Sequence, residues 1–287
     1  MELLVQVLIN GLMLGAIYAC IAVGFSLVWG VLNVINMLHG SMIIFAGYLT
    51  FFAWQKLGVH PLLGLPAVTA ILYCLGFLIQ HFAINRVVDQ PVLVTLTLTF
   101  GLDMILHNVM NVAFEATPRR ITLDMGSLSA GNIFLPYDRL VAMTLALVLT
   151  GVLYLVLRQS RIGRAIVAVR MDRDAATLMG INVKRIYATT FAIGAAMAGV
   201  CGALFAITFP VTTDATGLLL GKAFVVCVIG GLGSVPGALV GGLVLGLIES
   251  GATHLFGPQD AITIGFLVMI VLLMTRPSGI LGRAGYE

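Results

Sequence analysis

From Leu3 to Gln55 the chain carries no Asp, Glu, Lys or Arg. A run of that kind has no polar face to turn toward water, and in hydrocarbon the backbone must satisfy its own hydrogen bonds, which selects helices that cross a bilayer. The rest of the sequence repeats the pattern: 60% of residues are hydrophobic and 9% charged, at mean hydropathy +1.09, whereas soluble domains carry about 25% charged residues. Segments near the spanning length of about 20 apolar residues fall at 4–29, 37–55, 62–84, 92–114, 138–157, 188–209, 237–256 and 261–275. A ninth, 217–232, is short and broken by glycine. The expected fold is an all-α, polytopic transmembrane helical bundle of about 8 to 10 spans, some broken or re-entrant. No basic region or small-residue cleavage site precedes the first run, so it is expected to be a retained span rather than a signal peptide.

One segment departs from this composition. Residues 158–187 hold Arg158, Arg161, Arg164, Arg170, Arg173, Lys184 and Arg185. Lys/Arg-rich loops stay in the cytoplasm, so this segment sets the orientation. Alternating outward places the N-terminus and the 115–137 loop outside, and 85–90 and the tail from Arg276 inside, provided 217–232 crosses. The inside then holds Arg86, these seven, Arg276 and Arg283, which is ten basic residues, against four outside: Lys56, Arg119, Arg120 and Arg139. Within the segment, Ile162, Ala165, Ile166 and Val169 recur at helical spacing, which predicts a short amphipathic helix. A second helix is expected to begin with Asp172 or Asp174 as N-cap and to stop at Gly180, with Asn182 in the turn that follows. The two readings are a topology anchor and a docking surface for a cytoplasmic partner.

Two stretches interrupt the apolar pattern: GVLNVINMLHG from Gly30, with Asn33, Asn36 and His39, and GGLGSVPGALVGG from Gly230, with Gly231 and Gly233. They read either as tight cytoplasmic turns or as broken helices beside a translocation path, since bare backbone survives at membrane depth only inside protein or along a polar cavity. Asp103, His107, Lys222 and Glu249 fall within apolar segments, where ionisable groups suggest function. Asp103 and His107 share one helix face and also read as a structural hydrogen-bonded pair, and Lys222 and Glu249 as snorkelling groups near the interfaces. Thr95, Thr97 and Thr99 are expected to bond back to their own helix.

Catalytic chemistry has no footing. GLLLGKA at 217–223 lacks the spacing and the Ser/Thr of a phosphate-binding loop. The cysteines, Cys20, Cys74, Cys201 and Cys227, stand singly without metal-ligand spacing. Neither a metal site, a nucleic-acid partner nor an enzymatic activity is expected.

Three blocks, GVLNVINMLHGSMIIFAGY, RIGRAIVAVRMDRDAATLMGINVKRIYATTFAIGAAMAGVCGAL and VVCVIGGLGSVPGALVGGLVLGLIES, closely resemble the inner-membrane permeases of the branched-chain amino acid (LIV-type) ATP-binding cassette importers, over nearly the whole chain. The resemblance implies a type II importer-like permease domain over 1–287 in the bacterial inner membrane, with a cytoplasmic coupling segment at 158–187 and a periplasmic loop at 115–137. It also implies four kinds of partner: a second homologous permease, two cytoplasmic ATP-binding cassette subunits, a periplasmic solute-binding protein and the bilayer, with ATP bound by the partner subunits. The coupling residues it implies are Arg161, Gly163, Arg164, Ala165, Arg170, Asp172, Ala175, Met179 and Gly180. Ile181 also stands where the family motif has it. The candidate path residues are Asn33, Asn36, His39, Asp103, His107, Gly231, Gly233 and Glu249. Branched-chain amino acids are the first expectation for the solute, with urea or short amides and small carboxylates, aromatic ones included, as alternatives. A proton-coupled secondary transporter relaying through Asp103, His107 and Glu249 is the reading from a different class, and a channel-like facilitator is a third.

Overall fold

The structure is a computed structural model, and it describes residues 2–115, 117–123, 125–130 and 133–282. Arg283, which enters the basic count above, lies outside the described residues. Eleven α-helices account for most of the described chain: α1 Glu2–Leu32, α2 His39–Leu57, α3 Pro61–Phe82, α4 Val92–Phe114, α5 Tyr137–Gln159, α6 Arg161–Met171, α7 Arg173–Leu178, α8 Val183–Thr208, α9 Ala215–Gly230, α10 Val235–Phe256 and α11 Pro258–Thr275. Seven are long and apolar enough to cross a membrane: α1, α3, α4, α5, α8, α10 and α11. A short antiparallel hairpin, β1 Ser127–Ala130 with β2 Ile133–Pro136, sits in the 115–137 loop.

The centre of the bundle is α1 and α8, which are buried along most of their length, while α4 and α11 expose most of theirs. Apolar character alone does not pull helices together in lipid, so close backbone approach at small residues must do it. Gly11, Gly15 and Ala19 on α1 lie against Gly242 and Gly246 on α10, two facing small-xxx-small rows. A methyl group at Gly15 would come within 2.8 Å of Leu243 Cα, and one at Gly246 within 2.5 Å of the Gly11 carbonyl oxygen. The same device joins α1 to α8, where a methyl at Gly24 would sit 2.8 Å from the Gly194 carbonyl oxygen.

The connections segregate to two ends. At one end the Gln6 side chain pairs with both backbone groups of Phe134 in the hairpin, at 2.8 and 3.0 Å, and Arg119 bridges Val211. At the other, Asp89 meets Arg173, and the Asn85 amide reaches the Lys184 carbonyl at 3.4 Å. The segment after α11 folds back there, and its Ile280 and Leu281 amides close the last carbonyls of α9 at Ile229 and Gly230, at 2.9 and 3.0 Å. The start of α1 and the 115–137 loop thus share one end, and the 85–90 connection, the 158–187 segment and the chain after α11 share the other.

Candidate functional site: a charged knob and a mid-bundle helix break

The charged segment folds into the two short helices α6 and α7. Ser160 starts α6 by accepting the Gly163 amide at 2.9 Å. The turn from α5 is so tight that a methyl at Gly163 would lie 2.5 Å from Leu157 Cα. Asp172 is the N-cap of α7, its carboxylate accepting the Asp174 and Ala175 amides at 2.9 Å each, and Gly180 leaves the helix at φ +81°. Asn182 caps the next helix, α8, through the Arg185 amide at 3.0 Å, so it is a helix start rather than only a turn residue.

The buried stripe of the knob is Gly163, Ile166, Val169 and Ala176. Ile162, assigned to the apolar face by spacing, is exposed, because the tight turn at Gly163 rotates that face by one position. At the tip, Leu178 is 89% and Met179 83% exposed, beside exposed Ala175 and Gly180. Such a bare apolar tip on a charged knob has the character of an interface core with a polar rim. Leu178 is the residue that sequence reasoning missed. Its adjacency to Met179 at a helix end was the available signal.

Arg164 donates to the Gln159 carbonyl at 2.9 Å, closing the end of α5. Arg170 lies beside Gly233, and Arg161 is exposed. Arg173 pairs with Asp89 and its guanidinium stands over the Tyr187 ring at 5.8 Å. The Arg173 hydrogen bond holds the Asp89 carboxyl below its ordinary value, so α7 is tied to the connection that leads into α4. Asn33, Asp172, Arg170 and Arg173 line a cleft of about 1100 Å³ between this knob and the bundle.

The two interrupted stretches differ from each other. Gly231 and Gly233, at φ +105° and +76°, form a tight turn between α9 and α10, with Ser234 capping α10 through the Gly237 amide at 3.1 Å. Residues 33–38 instead climb back into the bundle. Asn33 begins the climb at φ +53°, and Thr99 on α4 accepts from the Met37 amide at 3.4 Å and donates to the Ile35 carbonyl at 2.9 Å. His39 is fully buried, with Nε2 donating to the Ile21 carbonyl at 2.9 Å. Ile21 is near the middle of α1, so α2 begins about 16 Å inside the end of α1 at a rise of 1.5 Å per residue. Asn36 is buried beside this turn.

Residues 209–214 make a matching return from the opposite end. Gly40, in the first turn of α2, has no room for a methyl group because the Thr216 carbonyl, in the first turn of α9, occupies that space. The N-termini of α2 and α9 therefore meet in mid-bundle and the helices run apart toward opposite ends, which makes both of them broken spans. Opposite the junction stands α4: Ser41 donates to Asp103 at 2.5 Å, and His107 Nδ1 lies 3.5 Å from Thr216 Oγ1. Asp103 and His107 thus share a face but hold separate partners, and the expected pair between them is replaced by contacts to the two helix starts. Thr95 and Thr97 do bond back to their own helix, at 2.9 and 2.8 Å.

Lys222 and Glu249 are not interfacial. They are 7% and 5% exposed and form an ion pair at 2.8 Å between α9 and α10, while Tyr18 of α1 donates to Glu249 at 2.6 Å and contacts Lys222. Snorkelling does not occur because both side chains are buried within the bundle, where each finds the other. Tyr18 was invisible as one aromatic residue in an apolar run. Among the described residues no group of His, Cys, Asp and Glu could hold a metal ion.

A family model described as the permease component of the branched-chain amino acid transport system matches residues 7–275. The chain is 32% identical to the high-affinity branched-chain amino acid transport system permease protein BraD of Pseudomonas aeruginosa, over 98% of this chain and 97% of that one. It is 32% identical to LivH of Escherichia coli K12, over 98% and 96%, and 26% identical to LivM of the same organism, over 92% of this chain and 68% of LivM. Both carry the same permease description. No solved structure matches the chain. A bundle of apolar helices matched over nearly its full length by transport permeases is a membrane transport component: the chain belongs to the branched-chain amino acid transport permease family.

Proposed function

We propose that this chain is the membrane-spanning subunit of an ATP-driven importer for branched-chain or closely related aliphatic amino acids. The whole of 1–287 acts as one permease unit in the bacterial inner membrane, beside a second homologous permease, as the joint resemblance to LivH and LivM suggests. A periplasmic binding protein delivers the solute, and two cytoplasmic ATPase subunits supply the energy. The N-terminus and the 115–137 loop face the periplasm, and 158–187 and the C-terminus face the cytoplasm, in keeping with the ten-to-four basic asymmetry.

The observation that carries this reading is the knob. Its apolar tip, Ala175, Leu178, Met179 and Gly180, is bare, while its base is fastened to three parts of the bundle: α5 through Ser160 and Gly163, α8 through Asn182, and the start of α4 through Arg173 and Asp89. Closure of the ATPase pair on nucleotide displaces the tip as a rigid body. The Arg173–Asp89 tie then passes that motion to α4, which holds Asp103 and His107 against the starts of α2 and α9. Shifting α4 opens or closes the path at that junction, so the two ends are exposed alternately. Gly231, Gly233 and Arg170 sit at the cytoplasmic mouth, and Asn33 with Asn36 and His39 supports the broken entry to α2. A proton relay through Asp103, His107 and Glu249 finds no continuity, since these groups bond to Ser41, Thr216 and the Tyr18–Lys222 pair respectively.

The test is reconstitution with the neighbouring ATPase, permease and binding-protein subunits in liposomes. ATP-dependent leucine uptake stimulated by the binding protein is expected. Uptake of urea, a short amide or a small carboxylate in its place would overturn the substrate, and uptake driven by a proton gradient without ATP would overturn the class. Orientation is read by labelling Ser127→Cys and Met179→Cys from outside, after replacing the exposed Cys74. Labelling of position 179 rather than 127 would reverse the assignment.

A further inference from the structure

The end of the bundle that bears the hairpin holds a cavity of about 460 Å³ between α1, α5, α8 and α10, within the range of about 300–1,000 Å³ typical of small-molecule sites. It follows α1 from Leu3 to Ile17, a depth of about 20 Å at the helical rise, and so reaches the middle of the bundle. Its lining is both apolar and polar. Met13, Leu14, Ile17 and Phe209 make an apolar floor, of which Met13 and Ile17 are the most deeply buried.

The polar lining groups are Gln6, Asn10, Thr208 and His254, with Arg139 as a cationic donor and the hydroxyls of Ser250 and Thr253 as acceptors. Arg139, at the start of α5, is half-buried, and among the described residues its guanidinium has no hydrogen-bond or ion-pair partner. The neighbouring Asp138 carboxylate is turned to the Arg139 backbone amide at 2.8 Å, and Glu249, one residue before the lining Ser250, is taken up by Tyr18 and Lys222. The hydroxyls opposite are the reverse case. Ser250 donates to the Val7 carbonyl at 2.7 Å and Thr253 to the Glu249 carbonyl at 2.7 Å. Each hydroxyl has placed its only proton on backbone, so what it offers a guest is acceptor lone pairs.

We propose that this cavity binds the zwitterion of an aliphatic α-amino acid: Arg139 receives the carboxylate in a bidentate pair, Ser250 and Thr253 accept from the ammonium, and the apolar floor takes the side chain. The proposal rests on the amino-acid reading of the preceding subsection and gives that reading a recognition site of its own in the permease. Arg suits the carboxylate because its planar fork matches two oxygens at once. The floor discriminates by shape and apolarity alone, so it favours leucine, isoleucine and valine over urea or short amides without distinguishing strongly among the three.

The assembled complex in nanodiscs, without binding protein, is exposed to millimolar photo-leucine and irradiated, and the modified peptides are identified by mass spectrometry. Labelling is expected in the α1 segment from Met13 to Ile17 and at Phe209, with leucine competing and leucinamide, which lacks the carboxylate, weaker by about 10- to 100-fold, the scale of one charged hydrogen-bonded contact. Arg139→Gln should lower labelling by the same factor and erase the preference for leucine over leucinamide. Equal competition by leucinamide on the wild type would overturn the proposal, and that comparison needs no variant to fold. Labelling that leucine does not displace would mark a lipid-filled crevice and overturn it equally. A wild-type complex that transports some other solute but not leucine would instead refute the proposed function.

Discussion

Replacing Lys222 by Met removes the cation from a group that has no route to water. Glu249 is 5% exposed, held at 2.8 Å by Lys222 and at 2.6 Å by the Tyr18 hydroxyl. In the single variant Tyr18 remains, but a neutral hydrogen bond contributes only about 1 kcal/mol, whereas breaking a buried ion pair from one side costs about 3–5 kcal/mol because a charge is left without its partner. The expected loss is therefore two to three orders of magnitude or more in the folded fraction at fixed conditions. The double variant Lys222→Met with Glu249→Gln behaves differently. Gln keeps an acceptor for Tyr18 and Met fills the space of the lysine stem, so the pair is replaced by neutral groups of similar volume, an exchange that is often neutral or stabilising. Unfolding in mixed micelles can be followed by the emission of the two tryptophans, Trp29 and Trp54. The double variant is expected to be more stable than either single one. Single variants within about 1 kcal/mol of wild type, the scale of an exposed pair, or a double variant as unstable as the sum of the two, would refute the buried-pair reasoning.

Gly246→Val is expected to abolish the α1–α10 contact, since its Cβ falls 2.5 Å from the Gly11 carbonyl oxygen, and to lower the yield of monodisperse protein; Gly251→Ala, at a position with nothing within 4 Å, is the matched control and should leave the yield unchanged. Asp89→Asn should cost at most about 1 kcal/mol, because the Arg173–Asp89 pair is 44% and 52% exposed and solvent screens it. Asp89 titrates below its ordinary 3.8 when folded, so the wild-type advantage over the variant is present above pH 3.8 and disappears as pH falls through the lower folded value. A stability difference that grew on acidification would contradict the sign.

The parts of the molecule that were legible are those encoded locally. Hydropathy runs located the long helices, and Asp172 and Gly180 bracketed the second helix of the knob because capping is a matter of residue type at a few adjacent positions. Depth was not encoded that way. Residues 210–216 fall between two expected spans and so read as an end loop, yet the chain there descends so that Thr216 meets Gly40, and nothing local distinguishes a polar turn at the surface from one inside the bundle. The Lys222–Glu249–Tyr18 group joins three helices across 27 and 231 residues of sequence for its two bonds to Glu249, beyond any spacing rule. The facing rows Gly11, Gly15, Ala19 and Gly242, Gly246 were readable in principle, since four-residue spacing of small residues marks helix packing in membranes. Arg139 entered the sequence reading only as a charge outside, because its cavity forms only where α5 packs beside α1, α8 and α10.

The central claim is that the α6–α7 knob couples ATP hydrolysis to solute movement, and the ratio of leucine taken up to ATP hydrolysed tests it most directly. Ala175 is exposed beside Leu178 and Met179, so a Trp there leaves the permease fold untouched but wedges the partner surface away. Bulk at the core of such an interface weighs more than loss of one rim charge, which amounts to about 0–1 kcal/mol. With the complete complex in liposomes, Ala175→Trp is expected to lose uptake while hydrolysis persists uncoupled, or to release the ATPase subunits, whereas Arg161→Ala stays close to wild type. An Ala175→Trp complex that retains the wild-type ratio of leucine to ATP would contradict the claim and leave the knob as no more than an anchor of topology.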